Sequence, residues 1–413
     1  MKNKWVLLAL LCLIFVTYTV DRALLGLLAV PIQKDLGLTD VQFGFVSAAI
    51  FWTFSICVPF SGLAGDRFDR RKLIGFAAVA WSVMAILAGF SSGFWSLFLI
   101  ASVALVAPQT MYGPSANALL AECHADTRTI ALSCHQAAYY TGWFVSGAAV
   151  AGVLALFGSW RAAFFTFGAL GFILGVVFLC WAGGTQGMSS TEQSHNPNNQ
   201  TIKQSLRAFF GCRTALLVAV CYVIEAFIGF GYASWGPKFI AQKFALTPSA
   251  AGTGVMFSYN AAAFGAILVS GFATDRLVKR FPRFRLALSA GAVLLQIPAL
   301  VAFALVSSLP LVWTAAAFLG AMIGVVGANQ FTMIFDVVPS RYRAGSIGFL
   351  NVIAGLVGST APIILGTLSQ KFGVRGFELG FAAFGAAEIL AVLALTVAMT
   401  MTFRTDLRRS QDD

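Results

Sequence analysis

Three acidic side chains, Asp21, Glu225 and Glu388, lie deep inside long apolar runs of this chain. A carboxylate so placed must meet a cation, carry a proton or face a water-filled space. The chemistry open to such groups is proton exchange coupled to another event. Asp21 stands 16 residues after Trp5, about 24 Å along a helix. Arg22 is its neighbour and Tyr18 lies one turn back. These residues suit either a proton-exchanging site or a structural ion pair. Glu225 lies 12 residues after Arg213, about 18 Å into its helix. Tyr222, Gly229 and Tyr232 share its face. No basic residue lies one turn away on its own helix, so any partner must come from another one.

Uncharged polar groups recur in the same runs. Gln109 and Tyr112 are one turn apart, just before Pro114. His135 and Tyr139 share a helical face, and His135 is either a titrating group or a satisfied packing residue. Tyr259 and Asn260 are consecutive, and Asn329 and Asn351 follow in later runs. A lone amide in such a run joins helices. Several in different runs together suggest a cavity that holds a polar solute. The sequence has no G-x-x-x-x-G-K-[ST] phosphate loop, no H-E-x-x-H, no G-x-S-x-G and no paired C-x-x-C. No catalytic residue, metal site or cofactor is therefore expected. The 7 cysteines fall mostly inside apolar runs and read as buried thiols.

These residues need long helices to position them. Hydrophobic residues make up 59% of the chain and charged residues 10%, with a mean hydropathy of +0.83. A soluble domain has about 25% charged residues. Apolar runs of spanning length fall at 5–31, 42–64, 73–91, 94–121, 130–157, 162–182, 213–240, 249–273, 286–306, 311–338, 345–370 and 377–403. The first continues without a cleavage site, so it reads as a retained helix. The polar stretch from Gly183 to Cys212 reads as a linker with a short surface helix at 202–210. The expected organisation is a six-helix bundle at 1–182, a cytoplasmic linker at 183–212, a second six-helix bundle at 213–403 and a tail at 404–413.

Charge gives the orientation. With alternating sides and a cytoplasmic N-terminus, 20 basic residues fall on the cytoplasmic side and 6 opposite, while Arg22 lies within the first run. This asymmetry predicts both termini in the cytoplasm. It also accounts for the net charge of +11 without a nucleic-acid partner.

The loop Gly62-Leu-Ala-Gly-Asp66-Arg67-Phe-Asp-Arg70-Arg71-Lys72 resembles the G-x-x-x-D-[RK]-x-G-R-R turn between the second and third helices of the major facilitator superfamily. Gly62, Asp66, Arg67, Arg70 and Arg71 match, and Asp69 departs from the usual glycine. A weaker copy, Gly271-Phe-Ala-Thr-Asp275-Arg276, occupies the corresponding place in the second half. The resemblance implies an all-α membrane protein of twelve transmembrane helices in two bundles. It also implies a solute site near the midplane and a gating role for these loops.

Tyr18-Thr-Val-Asp21-Arg22 and Gly65-Asp66-Arg67-Phe68-Asp69-Arg70 resemble two branches, the anion:cation symporters and the Spinster-type transporters. Both typically have a glutamate five residues before a helix-4 proline. Gln109 stands there instead, and an amide does not exchange protons. The expected function is secondary transport of a small organic solute, such as an organic anion, with protons as the coupling ion. Asp21 is the expected coupling residue, with Glu225 as runner-up. The alternatives are facilitated diffusion, export of a lysolipid-like amphiphile, or a receptor that binds without transporting. The expected protein is a monomer in a bacterial inner membrane.

Overall fold

The computed structural model describes residues 4–183 and 202–412. Twelve helices in it are long and apolar enough to cross a membrane. They are α1 (Lys4–Leu27), α2 (Asp40–Ser61), α3 (Arg70–Ala88), α4 (Phe94–Cys123), α5 (Ile130–Phe157) and α6 (Trp160–Trp181). There follow α7 (Arg213–Lys243), α8 (Pro248–Leu277), α9 (Phe284–Leu305), α10 (Leu309–Val337), α11 (Gly345–Phe372) and α12 (Val374–Leu407). The protein is an all-α integral membrane protein. Apolar side chains such as Phe76, Leu156 and Val269 remain exposed on these helices. In a bilayer they face lipid, while the backbone groups are satisfied within each helix.

The first apolar run is interrupted where the sequence predicts continuity to residue 31. α1 ends at Leu27, and a separate helix covers Ala29–Leu36. Gly37 closes that helix at φ 64°, a conformation glycine adopts without Cβ strain. α2 then starts in a reciprocal cap: Thr39 Oγ1 accepts from Gln42 N at 3.2 Å, and Gln42 Oε1 accepts from Thr39 N at 2.9 Å. The expected linker helix forms at Ile202–Gly211.

The chain packs as two units. The first comprises Met1–His195 with Ala233–Phe257, and the second comprises Asn196–Tyr232 with Ser258–Asp413. The C-terminal part of α7 and the start of α8 pack within the first unit. Without water, helices are held by close packing and interhelical hydrogen bonds. In the first unit, Trp81, Tyr112 and Phe178 join Leu11 and Ile14 in one buried cluster. Gly142 of α5 faces α1, where a Cβ would lie 1.7 Å from Thr19 Oγ1. In the second unit, Gly320 and Gly324 of α10 lie against α8. A Cβ would come within 2.1 Å of the Tyr259 carbonyl oxygen and 2.4 Å of the Ala263 carbonyl oxygen. This small-xxx-small stripe lets the two backbones touch.

Candidate functional site

In the first unit the polar groups converge around a pair of tyrosines. Tyr18 of α1 and Tyr112 of α4 have ring centroids 6.0 Å apart, with Trp81 edge-on to both. α1 and α4 cross the membrane in opposite directions. Asp21, three residues after Tyr18, and Gln109, three before Tyr112, therefore sit one turn to the same side of the pair. Asp21 is buried at 4% exposure and Gln109 at 1%. Among the described residues, no hydrogen-bond partner reaches either Asp21 oxygen or either Gln109 amide atom. Buried polar atoms are nearly always bonded, so this level of the bundle holds unused hydrogen-bonding capacity.

The ion pair considered for Asp21 and Arg22 is not formed. Adjacent residues on a helix point about 100° apart. Arg22 instead lies over Phe54 of α2 at 4.5 Å, and its Nη1 donates to the Tyr18 hydroxyl at 3.4 Å. Among the described residues it makes no salt bridge. An arginine held by aromatic faces keeps its planar fork of donors available for a carboxylate.

Helix α4 breaks beside Gln109. Phe98–Ala104 is a π-helical segment, in which Leu105 N bonds to Ile100 O at 2.9 Å. Pro108 and Pro114 each lack the N–H that would continue the ladder. The helix resumes at Tyr112 after bonds of the tighter kind, Thr110 N to Ala107 O and Met111 N to Pro108 O. Interrupted spanning helices and π turns are where membrane carriers place polar solute contacts. The two prolines were the signal in the sequence.

Other candidates of this unit have structural partners. The Tyr112 hydroxyl donates to the Leu11 carbonyl at 2.6 Å and accepts from His135 Nε2 at 2.9 Å. His135 also stacks on Phe15 at 4.4 Å. That arrangement suits the packing alternative for this histidine. Tyr139 lies 5.2 Å from Phe15 at the edge of the same group.

In the second unit Tyr232 and Tyr259 stack at 4.4 Å. Asn329 Nδ2 donates to Ser270 Oγ at 3.1 Å, which ties α10 to α8. The Tyr222 hydroxyl donates to Asn351 Oδ1 at 2.5 Å, tying α7 to α11. Both amides thus act as helix joints in this structure, and Asn260 neighbours the tyrosine stack. Glu225 accepts from Gln296 Nε2 of α9 at 2.7 Å. Its partner comes from another helix and is neutral.

The repeated loops can be compared in part. The side chains of Asp66 and Arg67 and the surroundings of Gly62 lie outside the described residues. Asp69, the departure from glycine, caps α3 through Oδ1, which accepts from Arg71 N at 2.9 Å. Arg70 pairs with Glu122 at the end of α4. In the second copy, Arg285 donates to both Asp336 oxygens at 2.8 and 2.9 Å and reaches Asp275 at 3.3 Å. Arg276 covers the Phe272 ring at 4.0 Å. Asp275 and Arg276 stand out in the sequence by their motif, but Arg285, which no motif marks, is the centre of this cluster.

A second missed group lies in the first unit. Lys238 is buried at 7%, donates to Gln33 Oε1 at 2.7 Å and pairs with Asp40. Gln33 Nε2 also donates to Asp40 at 2.7 Å. Nearby, Asp35 pairs with Arg161 and accepts from Trp160 Nε1 at 3.1 Å. The Arg161 hydrogen bond, then that of Trp160, holds its carboxyl below the usual carboxylate range. None of these contacts joins neighbours in sequence, so no local pattern announced them.

Residues 10–362 match the family described as Major Facilitator Superfamily. The chain is 24% identical over 405 residues to the D-galactonate transporter of Escherichia coli O6:H1, covering 90% of each chain. It is 23% identical over 384 residues to Protein spinster of Drosophila melanogaster, with 89% of this chain covering 62% of that one. Among solved structures, a bacterial homolog of the human lysosomal transporter Spinster, inward-facing and occupied, superposes with a TM-score of 0.84. It is 19% identical, over 98% of both chains.

Proposed function

Because the chain belongs to the major facilitator superfamily, we propose that it is a proton-coupled carrier of a small organic anion, with a hydroxylated sugar acid as the favoured class. The carrying observation is Arg22. It is an arginine inside a spanning helix, held by Phe54 and Tyr18 and by no carboxylate among the described residues. Its fork suits a substrate carboxylate. Gln109 supplies an amide donor and acceptor for hydroxyl groups, and the D-galactonate transporter carries a substrate of this kind. Asp21, the neighbouring carboxyl without a hydrogen-bond partner, is the coupling group, and Glu225 is the runner-up. The substrate cavity is assigned to Tyr18, Arg22, Gln109, Tyr112, His135 and Tyr139 of the first unit. In the second unit, Tyr232, Tyr259 and Asn260 are the proposed solute contacts. Gly62, Asp66, Arg67, Arg70, Arg71, Asp275 and Arg276 gate the cavity. The carrier works as a monomer.

Purified protein in liposomes should accumulate labelled galactonate when an inward proton gradient is imposed, and Arg22→Gln should lose that uptake. If galactonate is inert and a lysophospholipid is moved instead, the sugar-acid reading fails and the Spinster-like one replaces it. That second reading has its own support in the Asp21-Arg22 sequence and the shared fold. Binding of galactonate without flux would identify a receptor.

The proposed location is a bacterial inner membrane, with both termini in the cytoplasm, from the 20 against 6 basic residues. In intact cells carrying a variant free of native cysteines, an impermeant thiol reagent should label Leu36→Cys or Phe244→Cys and spare Ser190→Cys. The opposite labelling pattern reverses the orientation.

A further inference from the structure

Three helices of the second unit bring acceptor oxygens together with too few donors. Glu225 of α7 is 9% exposed, and Gln296 of α9 and Glu388 of α12 are both at 0%. The Gln296 amide spends one donor on Glu225 Oε1. Glu225 Oε2, Gln296 Oε1 and both Glu388 oxygens have no partner among the described residues. α12 reaches α7 and α9 at this level: Phe384, one turn before Glu388, packs its ring 5.0 Å from that of Phe227, and a Cβ on Gly385 would lie 3.4 Å from the Ile297 carbonyl oxygen. Gln296, the polar contribution of α9, is neutral. Among the described residues, no lysine, arginine or histidine bonds to either carboxyl.

Two adjacent carboxylates away from water, without a cation, cannot both stay ionised. The mixture of unused acceptors lacks one thing, an O–H donor. We propose that Glu225 and Glu388 form a proton-sharing carboxyl pair, braced by Gln296, which is a second proton-holding site separate from Asp21. The proton sits on a carboxyl oxygen of the pair and donates to one of the free oxygens of the cluster. It is taken from water and returned to water, so no other reactant is needed. Loading it joins α7, α9 and α12, and losing it places two negative charges in one packed layer. Glu388 of the twelfth helix becomes a working member of the site. This inference does not rest on Asp21 as the coupling group or on the identity of the solute.

The test uses the full chain in lipid nanodiscs at neutral pH, read by infrared spectroscopy in H2O and D2O. The wild type and Asp21→Asn should both show a protonated-carboxyl C=O band that shifts in D2O. Glu388→Gln and Glu225→Gln should each remove or displace it. A proton kept by the folded protein and released on unfolding makes stability fall as pH rises. The melting temperature of the wild type should therefore drop more on alkalinisation than that of Glu388→Gln. Should Glu388→Gln not fold, Gln296→Leu should still displace the band by removing a hydrogen bond. A band that is absent from the wild type, or unchanged in both glutamate variants, overturns the proposal. So does loss of the band in Asp21→Asn alone. A sample without the band, stabilised by added sodium chloride but not by choline chloride, assigns the cluster to a metal cation and also overturns it.

Discussion

Asp21→Asn should abolish proton-driven accumulation of substrate while leaving substrate exchange across the membrane intact. A gradient of about two pH units supplies roughly 2.7 kcal/mol, enough for about a hundredfold accumulation at one proton per substrate. Asparagine keeps the size and polarity of the side chain and cannot carry the proton. The variant should bring internal and external substrate to equal concentrations and stop. Exchange survives because Arg22, placed on Phe54 and Tyr18, does not depend on an ion pair with Asp21. If Asp21→Asn protein still concentrates substrate when the gradient is imposed, Asp21 is not the coupling group. If it neither accumulates nor exchanges, its role is in binding.

Gly320→Val should strongly damage the second unit. Even a Cβ at Gly320 lies 2.1 Å from the Tyr259 carbonyl oxygen, and that oxygen belongs to the α8 backbone. A flexible side chain would yield, but a helix has to move as a body. Overpacking costs about 1–3 kcal/mol, and more where backbone must shift. The displaced α8 carries Tyr259, so the 4.4 Å stack on Tyr232 should open. The measurable results are a lowered melting temperature and little folded protein in detergent. Gly291→Ala on α9 is the control, because nothing lies within 4 Å of its added Cβ. Equal melting of the two variants would show that this helix contact is not tight.

Membrane embedding, twelve spans and the superfamily were all legible in the sequence. A bilayer imposes about 20 apolar residues per span, and that constraint is local. The repeated Gly-x-x-x-Asp-Arg turns marked corresponding places in the two halves, and the family match spans residues 10–362. Pro108 and Pro114 carried a signal left unused in the expectation of one continuous run at 94–121: each lacks a backbone donor, and α4 breaks there.

What each buried polar group meets was decided by the tertiary structure. Asp21 and Arg22 are neighbours, which suggested a pair, yet one helical step aims them apart and Arg22 finds Phe54 of α2. Asn329 and Asn351 read as cavity groups, but packing gives them Ser270 and Tyr222. Glu388 is far along the chain from Glu225, and only packing brings α12 to α7, with Phe384 on Phe227. Lys238 counted only as a charge opposite the cytoplasm until it met Asp40. A sequence pattern states how often a helix presents each face, because that follows from its own period. Which helix receives that face depends on close approaches such as Gly142 on Thr19 and Gly320 on Tyr259, and these exist only once the bundle has packed.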